Sequence, residues 1–231
     1  MRALRITLIV CAVLAGLLLA ADRLAAGYAE DRLADRVGFS EGTPASTDVD
    51  IKGFPFLTQL LDHRLDEVDA KLAGVEATAG GRRVLITELT AAFHDVKLKD
   101  GYSGGTAARA DGRVFLSYAD LTAVAQDGVT VAYGGAPGKV KVTASIGVFG
   151  RTLSRSVIST VTLAPGNTVR VRAEHVPGEG IPGLEELIRG KTDFDRPVEG
   201  LPAGLDVVSV TSDADGVRAV LKGTGVALGA R

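Results

Sequence analysis

The sequence predicts an α+β fold, a long antiparallel sheet with a few short helices. Two patterns carry that expectation. Apolar residues recur with period two over most of the chain after residue 50, and turn residues separate the alternating runs. Helical spacing is confined to the N-terminal run and three short segments.

The N-terminal element comes first. Arg2 and Arg5 precede the uncharged run Ile6–Ala21, and Asp22 and Arg23 end it. Basic residues ahead of an apolar stretch hold the N-terminus in the cytoplasm and send the rest outward. Sixteen uncharged residues are short for a span of about twenty, so residues 1–23 read as a signal peptide or a signal anchor. Cleavage sites near Ala26 or Ala29 are not clean A-x-A sequences. Cys11 is not a lipoprotein cysteine, because Val10 rather than a small residue precedes it. Leu24, Tyr28, Leu33 and Val37 continue at helical spacing among charges, so 24–47 reads as an amphipathic stalk ending in the polar linker EGTPAST. Residues 48–231 then form a single domain.

Composition bounds what that domain does. The chain has 231 residues, 46% hydrophobic and 23% charged, which is ordinary for a globular protein. A net charge of -2 offers no nucleic-acid surface. One cysteine excludes a disulfide framework and a cysteine metal site. With no Trp and 29 glycines, the core must come from Val, Leu, Ile and Ala.

The clearest strand is KVKVTASIGV, Lys139–Val148. Val140, Val142, Ala144, Ile146 and Val148 share one face, and lysines, threonine and serine share the other. Thr152–Leu163 repeats the pattern with Arg155 on its apolar side, Val169–Ala173 follows a Pro165-Gly166-Asn167 turn, and Val129–Tyr133 precedes it. Leu205–Val210 and Val217–Leu221 flank Asp215-Gly216 as a closing hairpin, with a bulge expected at Gly223 and Gly225. Short helices are expected at Phe56–Asp62, Tyr118–Gln126 and Gly183–Arg189. These helices cover only part of the strands' apolar faces. Either the sheet curls on itself or it encloses something apolar.

Several stretches resemble catalytic sites. GYSGG, Gly101–Gly105, matches G-x-S-x-G formally, and Ser103 would be the nucleophile of an envelope esterase. That elbow needs an apolar helix after it, whereas TAARADGR, Thr106–Arg113, reads as a polar loop. His63, His94 and His175 share no ligand spacing. The carboxylates of Asp62–Asp69 and Asp193–Glu199 read as solvated turns, and DADG at 213–216 lacks the distal Glu of a calcium loop. No P-loop or dinucleotide fingerprint is present. No catalytic residue, metal ligand or cofactor is therefore expected, and a structural or partner-binding β-rich envelope protein stands as a further alternative.

The most distinctive stretch is DIKGFPFLTQLL, Asp50–Leu61. Gly53 and Pro55 break a strand there, and Phe54, Phe56, Leu57, Leu60 and Leu61 concentrate apolar bulk at the break. They either cap the core or line the entrance of an apolar cavity. GFPFLTQLL followed by a strand and Gly74-Val75 resembles the signature of LmeA-type proteins, envelope phospholipid-binding proteins of actinobacteria. The closing run Leu201–Leu228 and the N-terminal apolar segment resemble that family too, so the likeness spans nearly the whole chain.

The resemblance implies an extracytoplasmic domain similar to tubular lipid-binding folds, with a long curved sheet wrapped around helices to enclose an apolar groove. It implies binding of phospholipid or another acyl-chain lipid, attachment to the membrane through the N-terminal segment, and a non-catalytic part in envelope lipid or lipoglycan maintenance or in lipid transfer. The candidates to line the groove are Phe54, Phe56, Leu57, Leu60 and Leu61 with Val140, Val142, Ile146 and Val148. Arg82, Arg83, Arg109 and Arg113 lie near expected loops and are candidates to meet lipid phosphates.

Overall fold

A computed structural model describes residues 2–36, 44–79, 82–148, 151–174, 189–190, 192–199 and 201–229. The helix expected at Gly183–Arg189 lies, apart from Arg189, outside the described residues, as does His175. The fold is α+β, with two curved, unclosed antiparallel sheets and few helices.

The chain opens with α1 (Arg2–Arg36), which continues without a break into the expected stalk as far as Arg36. After β1 (Ser46–Lys52) come α2 (Phe56–Leu61) and two long strands, β2 (Arg64–Ala79) and β3 (Arg82–Leu98). A short 3-10 turn at Asp100–Tyr102 leads into β4 (Gly105–Ser117) and α3 (Tyr118–Val124). The remaining strands are β5 (Val129–Tyr133), β6 (Lys139–Val148), β7 (Arg151–Ala164), β8 (Thr168–Ala173), β9 (Phe194–Pro197), β10 (Leu205–Ser212) and β11 (Gly216–Leu228). One sheet has the order β1-β2-β3-β4-β11-β10 and the other β5-β6-β7-β8-β9.

The polar loop expected at Thr106–Arg113 is instead the body of β4. The reason is the size of its inward residues. Ala107, Ala110 and Gly112 are buried while Arg109, Asp111 and Arg113 are exposed, so the alternation is present but carries almost no hydrophobic volume. Gly225 adopts φ +63° and interrupts the β11–β4 register between Thr224 and Val226, as the parity shift implied. A second irregularity falls in β10 between Val207 and Ser209. In β2, Gly74 (φ +63°) separates Leu72 from Val75, so both residues are buried although their parity differs.

Two clusters fill the interior. The first joins the five-stranded sheet to α3 through Val129, Val140, Val142, Val157, Val161 and Val171, with Tyr118 and Leu121 packed on it. Val217 and Val210 reach the same cluster from the other sheet. The second lies at the opposite end of the six-stranded sheet. There Phe56 of α2 and Ala26 of α1 pack on Ile51, Leu65, Val96, Ala110 and Val226.

Polar contacts hold the sheets together at their junction. The Gly138 N–H donates to Ser212 O, the Ser212 hydroxyl to Lys139 O, and the Tyr118 hydroxyl to Asp213 O (2.6 Å). Asn167 sits at φ +54° in the β7–β8 turn, a left-handed conformation that Asn tolerates. Its Oδ1 accepts from the Val207 N–H at 2.9 Å and its Nδ2 donates to Asp206. Asn167→Ala leaves the N–H of buried Val207 unpaired and strains the turn. The expected loss is about 2 kcal/mol, a fall in melting temperature of roughly 4–8 °C, read by thermal unfolding against the parent chain.

Candidate functional site

The register of the six-stranded sheet arranges its apolar face in cross-strand rows. One row runs Ile51, Val68, Phe93, Ala110, Gly223, Leu205. The next runs Val49, Ala70, Ala91, Gly112, Leu221, Val207, and the one beyond it Thr47, Leu72, Leu89, Val114, Ala219, Val210. The middle row has the most small residues, Ala70, Ala91 and Gly112. Leu221 leans over Gly112, where an added Cβ would lie 3.3 Å from the leucine's own. The relief that remains is at Ala70 and Ala91. Both are half-buried, as are the flanking Val68, Leu89, Phe93 and Val114. Six strands at about 4.8 Å spacing make the row about 24 Å long.

The first end of this face is closed by α2 and the outer half of α1. Gly53 (φ +94°) turns the chain out of β1, and any Cβ there would meet the Gln59 side chain at 2.6 Å. Pro55 is the N-cap of α2 and offers no capping side chain. The cap comes from 35 residues away: Asp22 Oδ1 accepts the Leu57 N–H at 2.8 Å. Asp22 is only 3% exposed. Glu30, two turns further along α1, accepts the Ile51 N–H of edge strand β1 at 2.8 Å, and the Arg23 guanidinium lies over the Phe54 ring at 5.2 Å. Gln59 ties α2 to the sheet by accepting from the Asp66 N–H and donating to Lys52 O.

The candidate groove residues fall in two separate places. Phe56 is 3% exposed, with Leu60 packed beside it in the cluster under α2. Phe54, Leu57 and Leu61 point outward, at 52%, 38% and 77% exposure. Val140 and Val142 lie in the other cluster, against packed side chains. Ile146 and Val148 continue β6 opposite Leu153 and Arg151, and their side chains lie outside the described residues, as do those of Arg82 and Arg83. Arg155, opposite Ala144, is exposed.

The opposite face of the same sheet is charged. A depression of about 680 Å³ on it is lined by charged residues, among them Asp48, Glu67, Asp69, Asp111, Arg113 and Lys222, and also by Ala70, Ala91 and Gly112 of the middle row. Arg109 and Arg113 belong to this face rather than to loops. His94 Nδ1 lies 3.0 Å from Glu67 and its Nε2 3.8 Å from Asp111. Asp195, on β9 of the other sheet, is held below its usual carboxylate range by hydrogen bonding and charge from Arg170, then Arg172. No cluster of metal-ligating side chains occurs among the described residues.

Ser103 lies in the hairpin between β3 and β4, so GYSGG is a strand–turn–strand connection rather than the strand–turn–helix of a nucleophile elbow. His63 stacks on Tyr102 at 5.1 Å.

Two features of the site escaped sequence reasoning. The Ala70–Ala91 relief depends on register between β2 and β3, and its only sequence signal is small residues at inward positions. The Asp22 cap joins residues 35 apart, and Asp22 read merely as the end of the apolar run.

Comparison with known proteins then adds one match. The family model described as LmeA-like phospholipid-binding matches residues 20–221. No curated protein and no solved structure matches the chain.

The division of labour within α2 is open to direct measurement. Phe56→Ala is expected to cost about 3–5 kcal/mol through the cavity it leaves. Leu61→Ala, at an exposed position, should stay within about 0.5 kcal/mol. Denaturant unfolding of the two variants gives both values.

Proposed function

Because the chain belongs to the LmeA-like phospholipid-binding family, we propose that it is an extracytoplasmic, non-catalytic phospholipid-binding protein, held at the membrane by α1 and serving envelope lipid maintenance or lipid transfer. The family match over residues 20–221 carries this reading. The acyl chain lies against the half-buried strip around Ala70 and Ala91, between the bulkier rows of Phe93 and Leu89. Phe54, Leu57 and Leu61 form its doorway, Phe56 and Leu60 its floor, and Val140 and Val142 belong to the wall at the far end.

The physical need is plain. Acyl chains cost roughly 0.8 kcal/mol per methylene in water, so a sixteen-carbon chain requires on the order of 12 kcal/mol of shielding. A strip of Ala, Val, Leu and Phe supplies that shielding without recognising one chain over another, so the site takes acyl lipids broadly.

Retention of α1 is part of the reading. Residues Leu8–Asp35 contain a window of mean hydropathy 2.2, long and apolar enough to cross a membrane. A signal peptide passes the same test. What favours an anchor is that Asp22, Ala25, Ala26 and Ala29 take part in the domain's packing and capping. Cleavage near Ala26 or Ala29 would remove the α2 cap and part of the core. Intact-mass analysis of protein extracted from membranes should find residues 1–21 still attached. A mature chain beginning after residue 24 would refute retention.

One observation favours a second reading. Val140 and Val142 face packed side chains, as a structural or partner-binding β protein with a filled core would have them. Native mass spectrometry separates the two: co-purified phospholipid supports the first reading, and lipid-free protein that takes up no fluorescent phospholipid supports the second. Ala91→Phe, which fills the strip, should lower fluorescent-lipid uptake several-fold with secondary structure unchanged. Undiminished uptake would move the acyl site elsewhere. Ser103→Ala should leave any lipid-directed activity unaltered, and its loss would revive the esterase alternative.

A further inference from the structure

From Leu8 to Ala21 every residue of α1 is exposed, and Asp22 is the first buried one. The body of the domain therefore meets the apolar helix at Asp22. The element it presents there is α2, through the Leu57 N–H on Asp22 and the Phe54 ring under Arg23. Leu57 and Leu61 of α2, with Phe54 just before it, stand outward at 38%, 77% and 52% exposure, beside the exposed Thr58. Tyr102 extends the patch. It is 47% exposed, and its hydroxyl reaches Leu60 O at 3.4 Å.

Length decides where this patch sits. The uncharged run Ile6–Ala21 has sixteen residues, or about 24 Å of helix, against a hydrocarbon core of about 30 Å. A helix that short draws its flanking residues to the bilayer surface. Asp22, Arg23 and the α2 end then lie at headgroup depth, where Arg and aromatic side chains are favoured. An apolar patch continuous with a membrane helix has one natural occupant.

We propose that Phe54, Leu57, Leu61 and Tyr102 form a membrane-contact face that seats the domain directly on the phospholipid bilayer α1 enters, with the α2 end inserted at the interface. This rests on the anchor reading above and adds an orientation to it. The end of the apolar face that α2 closes then lies on the leaflet itself, so a lipid entering past α2 would pass from bilayer to protein without crossing water.

The absence of Trp makes the test direct. Single tryptophans are placed in the full chain, reconstituted in nanodiscs of phosphatidylcholine and phosphatidylglycerol brominated near the headgroup end of the acyl chains. Leu61→Trp and Phe54→Trp report the proposed face, and Leu17→Trp reports the span. Leu85→Trp is the control: it is exposed and lies thirteen residues along β3 from Leu98, about 40 Å away at strand spacing. Quenching at Leu61→Trp and Phe54→Trp several-fold above that at Leu85→Trp is the expected result. Quenching at both no greater than at Leu85→Trp, with Leu17→Trp quenched, overturns the contact face and leaves the anchor standing. Failure to quench Leu17→Trp overturns the anchor and this proposal with it.

Discussion

An apolar sheet face this large must be covered, and the described helices cover only its ends. Strands β2, β3, β4 and β11 run 13 to 17 residues, longer than most strands in globular proteins. At one end α1 and α2 close the face; at the other, α3 and the second sheet do so. Between them the side chains at Val68, Ala70, Leu89, Ala91, Phe93 and Val114 stay half-buried. Such a row costs free energy in water. In a phospholipid-binding family that cost has a use, because a lipid chain laid on the row removes apolar surface on both partners at once.

The closed end depends on a single buried carboxylate. Asp22 joins the helix that leaves the apolar run to the short helix that begins at Pro55. An α-helix of six residues is below the length at which helices hold themselves together, and Pro55 cannot cap it. Asp22, Gln59 and the burial of Phe56 supply what the local sequence lacks. The same contact sets the geometry between any membrane span and the domain. The orientation of α1 relative to α2 is fixed by packing instead of being left to a flexible linker, and a membrane-held α1 would carry Leu57 and Leu61 to one depth.

Much of this was legible in the sequence because period-two alternation with Val, Ile and Leu marks a strand whatever its partners. Lys139–Val148 and the strands flanking Asp215-Gly216 carry that pattern, Gly53 and Pro55 mark a break in it after Lys52, and the family resemblance lies in that break. Strand β4 was missed because its inward residues are Ala and Gly, so period two was present without hydrophobic contrast. That same smallness creates the relief in the apolar face. The candidate groove residues form one set in the sequence, yet Phe56 and Leu60 lie in one cluster, Val140 and Val142 in the other, and Phe54, Leu57 and Leu61 point outward. Parity along a strand tells which face a residue is on, whereas register across strands tells what it meets. The Asp22 cap was hidden for a related reason: a contact between residues 35 apart leaves no local pattern.

If the chain transfers lipid as proposed, its site cannot shield the lipid too well. If the strip sealed all of an acyl chain, release would have to overcome most of the ~12 kcal/mol that a sixteen-carbon chain gains on leaving water. With the domain seated on a bilayer as proposed, a half-open row would avoid that barrier, because the acyl chain would exchange one apolar environment for another and only the difference between them would matter. Small, featureless side chains at Ala70 and Ala91 suit this, since they hold the chain by area rather than by shape. The filled cluster around Val140 and Val142 then has a complementary role. It gives the sheet a packed end, so that the proposed exchange at the open rows would not require the fold itself to loosen.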